Sequence, residues 1–139
     1  MYSTLDDLKK IIPEETIVYL TDDGAIGTID EPIIAETIAQ ADAVIDGYCG
    51  RRYKTPLNPV SDLVKKLSVD IAVYNLYCRR VEAMPDVWAE RYKNAIRQLE
   101  GIAKGTIALS PEQGGPAAPA ETNKETDGNT FSREKLSGY

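Results

Sequence analysis

The chain has 139 residues, 42% of them apolar, and a formal net charge of −6, which suits one domain with its own core and excludes wholesale disorder. Histidine is absent, which removes the commonest general base, the triads built on imidazole and every His-containing metal site. No apolar run approaches the ~18–20 residues of a membrane span, and no basic-then-apolar leader opens the chain, so neither a membrane segment nor a secretory signal is expected.

Ser3 and Thr4 precede a first helix in which Leu5, Leu8, Ile11 and Ile12 share a face; either hydroxyl can cap it, and Asp6 and Asp7 suit the positive end of the dipole. Pro13 ends that helix and opens the next, Glu14 to Leu20. Thr21-Asp22-Asp23-Gly24 is turn chemistry, leading through a small loop to Asp30. A calcium hand beginning at Asp22 fails, because Gly24 and Ile26 stand where acids are needed. Pro32 opens an amphipathic helix whose apolar face runs Ile33, Ile34, Thr37, Ile38, Ala41, Val44, Ile45, Tyr48 and Cys49, with Glu36, Gln40, Asp42 and Asp46 on the solvated side.

Gly50 is the expected terminator, and Arg51 to Pro59 reads as an extended, proline-set connection. Ser61 and Asp62 start a long helix to about Val81, with Leu63, Leu67, Ile71, Tyr74, Cys78 and Val81 as its stripe and Val64, Val69, Val73 and Leu76 widening it almost all round, so that it is expected in the middle of the core. Pro85-Asp86 opens the last helix, whose buried face is Trp88, Tyr92, Ala95, Ile96, Leu99 and Ala103. Gly105 ends it, followed by a short β-capable run, Thr106 to Leu109. Residues 110–129 are rich in Pro, Gly and Ala and cannot build a core. The expected fold is therefore all-α, a small bundle of about five helices over residues 1–109, with a short extended segment and a long C-terminal arm over 110–139. Phe131, Arg133, Leu136 and Tyr139 at the arm's tip read as a docking peptide, since apolar residues reappear there after a polar stretch.

The charge is uneven. Residues 1–47 carry eleven acids and two lysines, −9; residues 48–109 carry eleven Lys or Arg and six acids, +5; the rest carries five acids and three bases, −2. On charge alone this reads first as solvated helix faces of unlike sign; it also suits copies packing acidic face to basic face, and it does not suit a free nucleic-acid binder. Cys49 and Cys78 lack metal or redox spacing and read as two buried thiols. The paired acids Glu14-Glu15 and Asp22-Asp23 point apart, and no phosphate-loop or dinucleotide motif is present. The chain is accordingly not expected to be an enzyme. A hydrolase working through the Asp22–Asp30 loop is the catalytic alternative. A small helical nucleic-acid-binding or regulatory module using Arg51, Arg52 and Lys54 is the binding one.

The run Ile45-Asp46-Gly47-Tyr48-Cys49-Gly50-Arg51-Arg52-Tyr53-Lys54-Thr55-Pro56-Leu57 resembles the Ile-Asp-x-Tyr-x-x-x-Arg-Tyr-x-x-Pro-Leu pattern of Mu-like phage and prophage head–tail adaptor proteins. The opening Met1 to Leu8, the stretch Asp70 to Leu76 and the closing Phe131 to Leu136 are similar too. The resemblance implies a helical subunit of the virion neck, present in the host cytoplasm during assembly. It implies a ring, commonly twelve-fold, between the portal protein and tail-side neck or terminator proteins. Genomic DNA would pass through without sequence-specific contact, and no cofactor, metal or membrane would be needed. On this resemblance Asp46, Tyr48, Arg51, Arg52, Tyr53, Pro56 and Leu57 form an elbow used in assembly. Arg52 and Tyr53 would stabilise the bend, and Pro56 and Leu57 would set the exit angle.

Overall fold

A computed structural model describes residues 1–80 and 84–109. Five helices follow in order: α1 (Leu5–Lys9), α2 (Glu14–Thr21), α3 (Glu31–Cys49), α4 (Asp62–Cys78) and α5 (Asp86–Lys104). Among the described residues there is no β-strand, so the all-α bundle is the fold. Val81 and the whole 110–139 arm, including Phe131, Arg133, Leu136 and Tyr139, lie outside the described residues.

The helix starts follow from local chemistry. Thr4 and Asp7 form a reciprocal capping box, with the Asp7 N–H donating to Thr4 Oγ1 and the Thr4 N–H donating to Asp7 Oδ2. Asp30 caps α3 through the Ile33 N–H, and Ser61 caps α4 through the Val64 N–H. Pro13 precedes α2 and Pro85 precedes α5 at the N-cap position. Gly105 closes α5 in the left-handed region, at φ 90. Gly50 follows α3 in ordinary right-handed geometry instead, so the end of α3 is not a left-handed glycine stop.

The helices α3, α4 and α5 pack on one another, with α1 and α2 laid against α4. Leu67, Ile71 and Leu76 of α4 meet Ile38 and Ile45 of α3 and Leu99 and Ile102 of α5 in one core, all at most 1% exposed. The buried arc of α4 differs from the expected stripe. Leu67 and Ile71 of that stripe are buried, as are the widening residues Val64, Val69, Val73 and Leu76, together with Ser68, Asp70 and Ala72, but Leu63 and Tyr74 are only half-buried and Cys78 is exposed. Only Cys49 is a buried thiol, a correction to the expected pair. On α5 the fully buried positions are Trp88, Ala95, Leu99 and Ile102, with Tyr92 and Ile96 half-buried at the edge. The 106–109 run wraps the end of α5: the N–H groups of Thr106 and Ile107 both donate to Gly101 O, and Leu109 is buried.

Candidate functional site

The elbow between α3 and α4 is held from two sides. On one side is the N-terminal strap, Tyr2 and Ser3, both buried. The Tyr2 N–H donates to Asp42 Oδ2 at 3.0 Å, and its phenol donates a very short hydrogen bond to Asp46. The same phenol oxygen accepts the Leu57 N–H at 2.8 Å. Ser3 Oγ lies 2.7 Å from Ser68 Oγ, which in turn donates to Asp42 Oδ1 at 3.0 Å. Asp42 and Asp46, expected on the solvated side of α3, instead anchor this strap. Their carboxylates are aimed at donors that α3 itself does not supply. Burial and the Asp46 carboxylate push the Tyr2 phenol well above its ordinary pKa.

On the other side stands the end of α5. Tyr53 Oη accepts the Leu109 N–H at 2.9 Å. The Arg52 guanidinium lies over Gly105, so close that a Cβ there would sit 2.8 Å from Arg52 Nη1. Arg52 and Tyr53 thus join the elbow to the chain leaving α5. Leu57 is buried, whereas Pro56 is exposed; the Thr55–Pro56 and Asn58–Pro59 peptides are cis. Tyr48 and Arg51 stand apart from these clamps. They line an open depression of about 510 Å³ between α3 and α5, with Val44, Gly47, Tyr92 and Ile96. Arg51, Arg52 and Lys54 are exposed, and among the described residues none has an ion-pair partner. The acidic helices of the same chain do not cover them.

The acids of the Asp22–Asp30 loop are engaged in local structure. Asp22 accepts the Ile26 N–H at 3.0 Å and the Gly27 N–H at 2.6 Å, which lowers its pKa. Asp23 pairs with Arg79 at 2.5 Å, and Asp30 caps α3. Among the described residues no group of three or more Cys, Asp or Glu is placed to hold a metal ion. Arg79 and Arg80, which follow the last residue of α4, reach across to α2. Arg79 Nη1 donates to Leu20 O at 2.5 Å and Arg80 Nη2 to Tyr19 O at 2.7 Å, capping carbonyls at the end of that helix.

One buried acid escaped the sequence reading. Asp70 is 1% exposed inside the α4 face, paired with Lys66 at 2.7 Å and Arg91 at 3.2 Å. Its signal was visible, since a carboxylate between Leu67 and Ile71 breaks an otherwise apolar stripe. Tyr2 gave only its place in the opening that resembles the adaptor proteins. It belongs to no periodic segment, so nothing local marked it for the core.

Comparison with known proteins gives this arrangement a lineage. The chain is 29% identical over 114 residues to the Mu-like prophage FluMu protein gp36 of Haemophilus influenzae, covering 81% of this chain and 79% of that one. It is 27% identical over 138 residues to gene product J of Escherichia phage Mu, covering 96% of each. The family model described as Bacteriophage Mu, Gp36 matches residues 2–127, from Tyr2 of the strap through the elbow and both of its clamps. The chain therefore belongs to the bacteriophage Mu Gp36 family.

Proposed function

We propose that this chain is a structural virion protein, a head–tail adaptor that forms a ring in the phage neck and lines the DNA conduit. The observation that carries the reading is the basic elbow. Arg51, Arg52 and Lys54 are exposed and unpaired among the described residues, while Glu14, Glu15, Glu31 and Glu36 are exposed elsewhere on the same chain. Two unlike faces are what a closed heterologous ring needs. Membership of the Mu family supplies the setting, and the resemblance to head–tail adaptors supplies twelve copies, a portal protein above and tail-side neck or terminator proteins below. No catalytic role is assigned to any residue. Location in the virion neck, after assembly in the host cytoplasm, belongs to the same reading.

The acids of the first 47 residues are not all available to a conduit. Asp7, Asp22, Asp23, Asp30, Asp42 and Asp46 have partners within the chain. Asp6, Glu14, Glu15, Glu31 and Glu36, all exposed, are the ones that would repel a passing phosphate backbone.

The test is electron microscopy of purified particles carrying a label inserted in the 114–119 stretch. A ring of label between capsid and tail is the expected result, and intact infectious particles without label overturn the reading. The same exposed elbow favours one second reading, a nucleic-acid-binding or regulatory module. It predicts duplex binding by the isolated protein that weakens steeply with salt, and charge reversal of Arg51 and Arg52 would abolish that binding.

A further inference from the structure

The proposed ring requires two unlike faces on each subunit, and the inference here rests on that reading. The geometry points to a knob and a hole: Ile26 of one copy seats in the α3–α5 depression of the next copy, with Glu31 beside the knob meeting Arg51 at the rim of the hole.

The knob is built rigidly. Ile26 is 76% exposed at the tip of the α2–α3 loop. An exposed isoleucine alone means little; its mounting is what matters. The Asp22 carboxylate accepts the Ile26 and Gly27 N–H groups, and the Asp30 N–H donates to Thr21 Oγ1 at 3.1 Å, closing the loop at its base. Ala25 is held at φ 57, a left-handed conformation unusual for a residue with a Cβ. The loop thus presents Ile26 in a fixed place, so little ordering is needed on contact.

The hole is open for a comparable reason. Its walls are Val44, Tyr48, Tyr92 and Ile96, and Arg51 stands at the edge. Gly47 lies in the last turn of α3, where glycine is a weaker helix former than any residue with a Cβ except proline. A Cβ there would meet nothing of its own chain within 4 Å. The glycine serves no packing within the subunit, and any larger residue would stand in the mouth of the depression. Arg51 and Glu31 are both exposed and unpaired among the described residues, so the contact joins opposite charges around an apolar centre, the usual anatomy of a specific interface.

Knob and hole lie toward opposite ends of α3. Sixteen residues of helix separate Glu31 from Gly47, roughly 24 Å at 1.5 Å per residue. One copy cannot fill its own hole. Repeating the contact propagates head to tail and closes into a ring when the rotation per step allows it.

The test uses the full chain with the exposed Cys78 removed (Cys78→Ser) and Ile26→Cys combined with Gly47→Cys. A disulfide needs Cα atoms within about 7 Å, so these two positions can bond only between chains. Oxidation of assembled particles should give a ladder extending past the dimer on a non-reducing gel, whereas either cysteine alone should stop at the dimer. Particles that contain the doubly substituted chain and yield nothing beyond dimer overturn the inference. If the wild-type chain is missing from particles, the adaptor reading falls by itself. The interface is then decided on the concentrated purified chain, where a stop at the dimer overturns it and a ladder upholds it. As a second check, Gly47→Lys and Ile26→Asp should each cut copies per particle at least about tenfold while the melting temperature stays within a few degrees; incorporation at the wild-type level overturns the proposal.

Discussion

Tyr2 and Asp46 are 44 residues apart in sequence, yet the phenol of one donates directly to the carboxylate of the other while accepting the Leu57 N–H. One oxygen atom therefore ties the start of the chain, the last turns of α3 and the elbow together. Tyr2→Phe keeps the ring and removes that atom, leaving the Asp46 carboxylate and the Leu57 N–H without it. The expected loss is about 1–3 kcal/mol, the usual cost of orphaning part-buried polar groups. Urea unfolding measures it. Asp46→Asn in the same background should add less than it costs alone, because both changes act on one network.

Stability should fall in alkali. Burial, reinforced by Asp46, pushes the Cys49 thiol from its ordinary 9.0 up to about 11, and the Tyr2 phenol is raised as well. A raised acid holds its proton more tightly when folded, so its contribution is complete below the unfolded value. That contribution is lost as pH rises through the folded one. The urea midpoint should therefore decline from pH 9 through pH 11, and less steeply in Cys49→Ala. At pH 8 a thiol reagent should modify Cys78 at once and Cys49 only on unfolding.

Two glycines should respond in opposite directions to alanine. Gly105 sits at φ 90 beneath the Arg52 guanidinium, so Gly105→Ala meets both a left-handed backbone and a steric clash. A loss of about 1–2 kcal/mol is expected from the backbone alone. Gly47 is helical with open space above it, and Gly47→Ala should gain about 0.5–1 kcal/mol. Thermal melts of the two variants give the signs directly.

Arg79→Ala removes the donor to Leu20 O and the partner of Asp23. The guanidinium is about a third exposed, which limits the effect to about 1 kcal/mol. Amide exchange in the last turn of α2 should quicken about fivefold, with α3 unaffected.

The five helices were legible because their signals are local: Thr4 and Ser61 as caps, Pro13, Pro32 and Pro85 at helix starts, and apolar residues at three-and-four spacing. What periodicity could not reveal was which polar residues serve a distant partner. Asp42 and Glu36 look alike on the solvated side of α3, yet only Asp42 meets a backbone N–H and a serine from elsewhere. Cys78 was misassigned because a stripe drawn from Leu63 assumes that α4 is covered along its whole length. Its buried residues end at Leu76, where Arg79 and Arg80 take over the contact with α2. The elbow residues could be named by resemblance, but their division between a strap at Tyr2 and a clamp at Gly105 depends on tertiary contacts that no sequence window contains.

The strap also sets an order of events during synthesis. Tyr2 and Ser3 leave the ribosome before the groups that hold them, because Asp42, Asp46, Leu57 and Ser68 emerge 40 to 65 residues later. The strap is made before its partners and placed after them. It must wait as a loose end until α3 and the first turns of α4 have been translated and have come together. A bulky fusion ahead of Met1 would have to be carried to the finished bundle along with Tyr2.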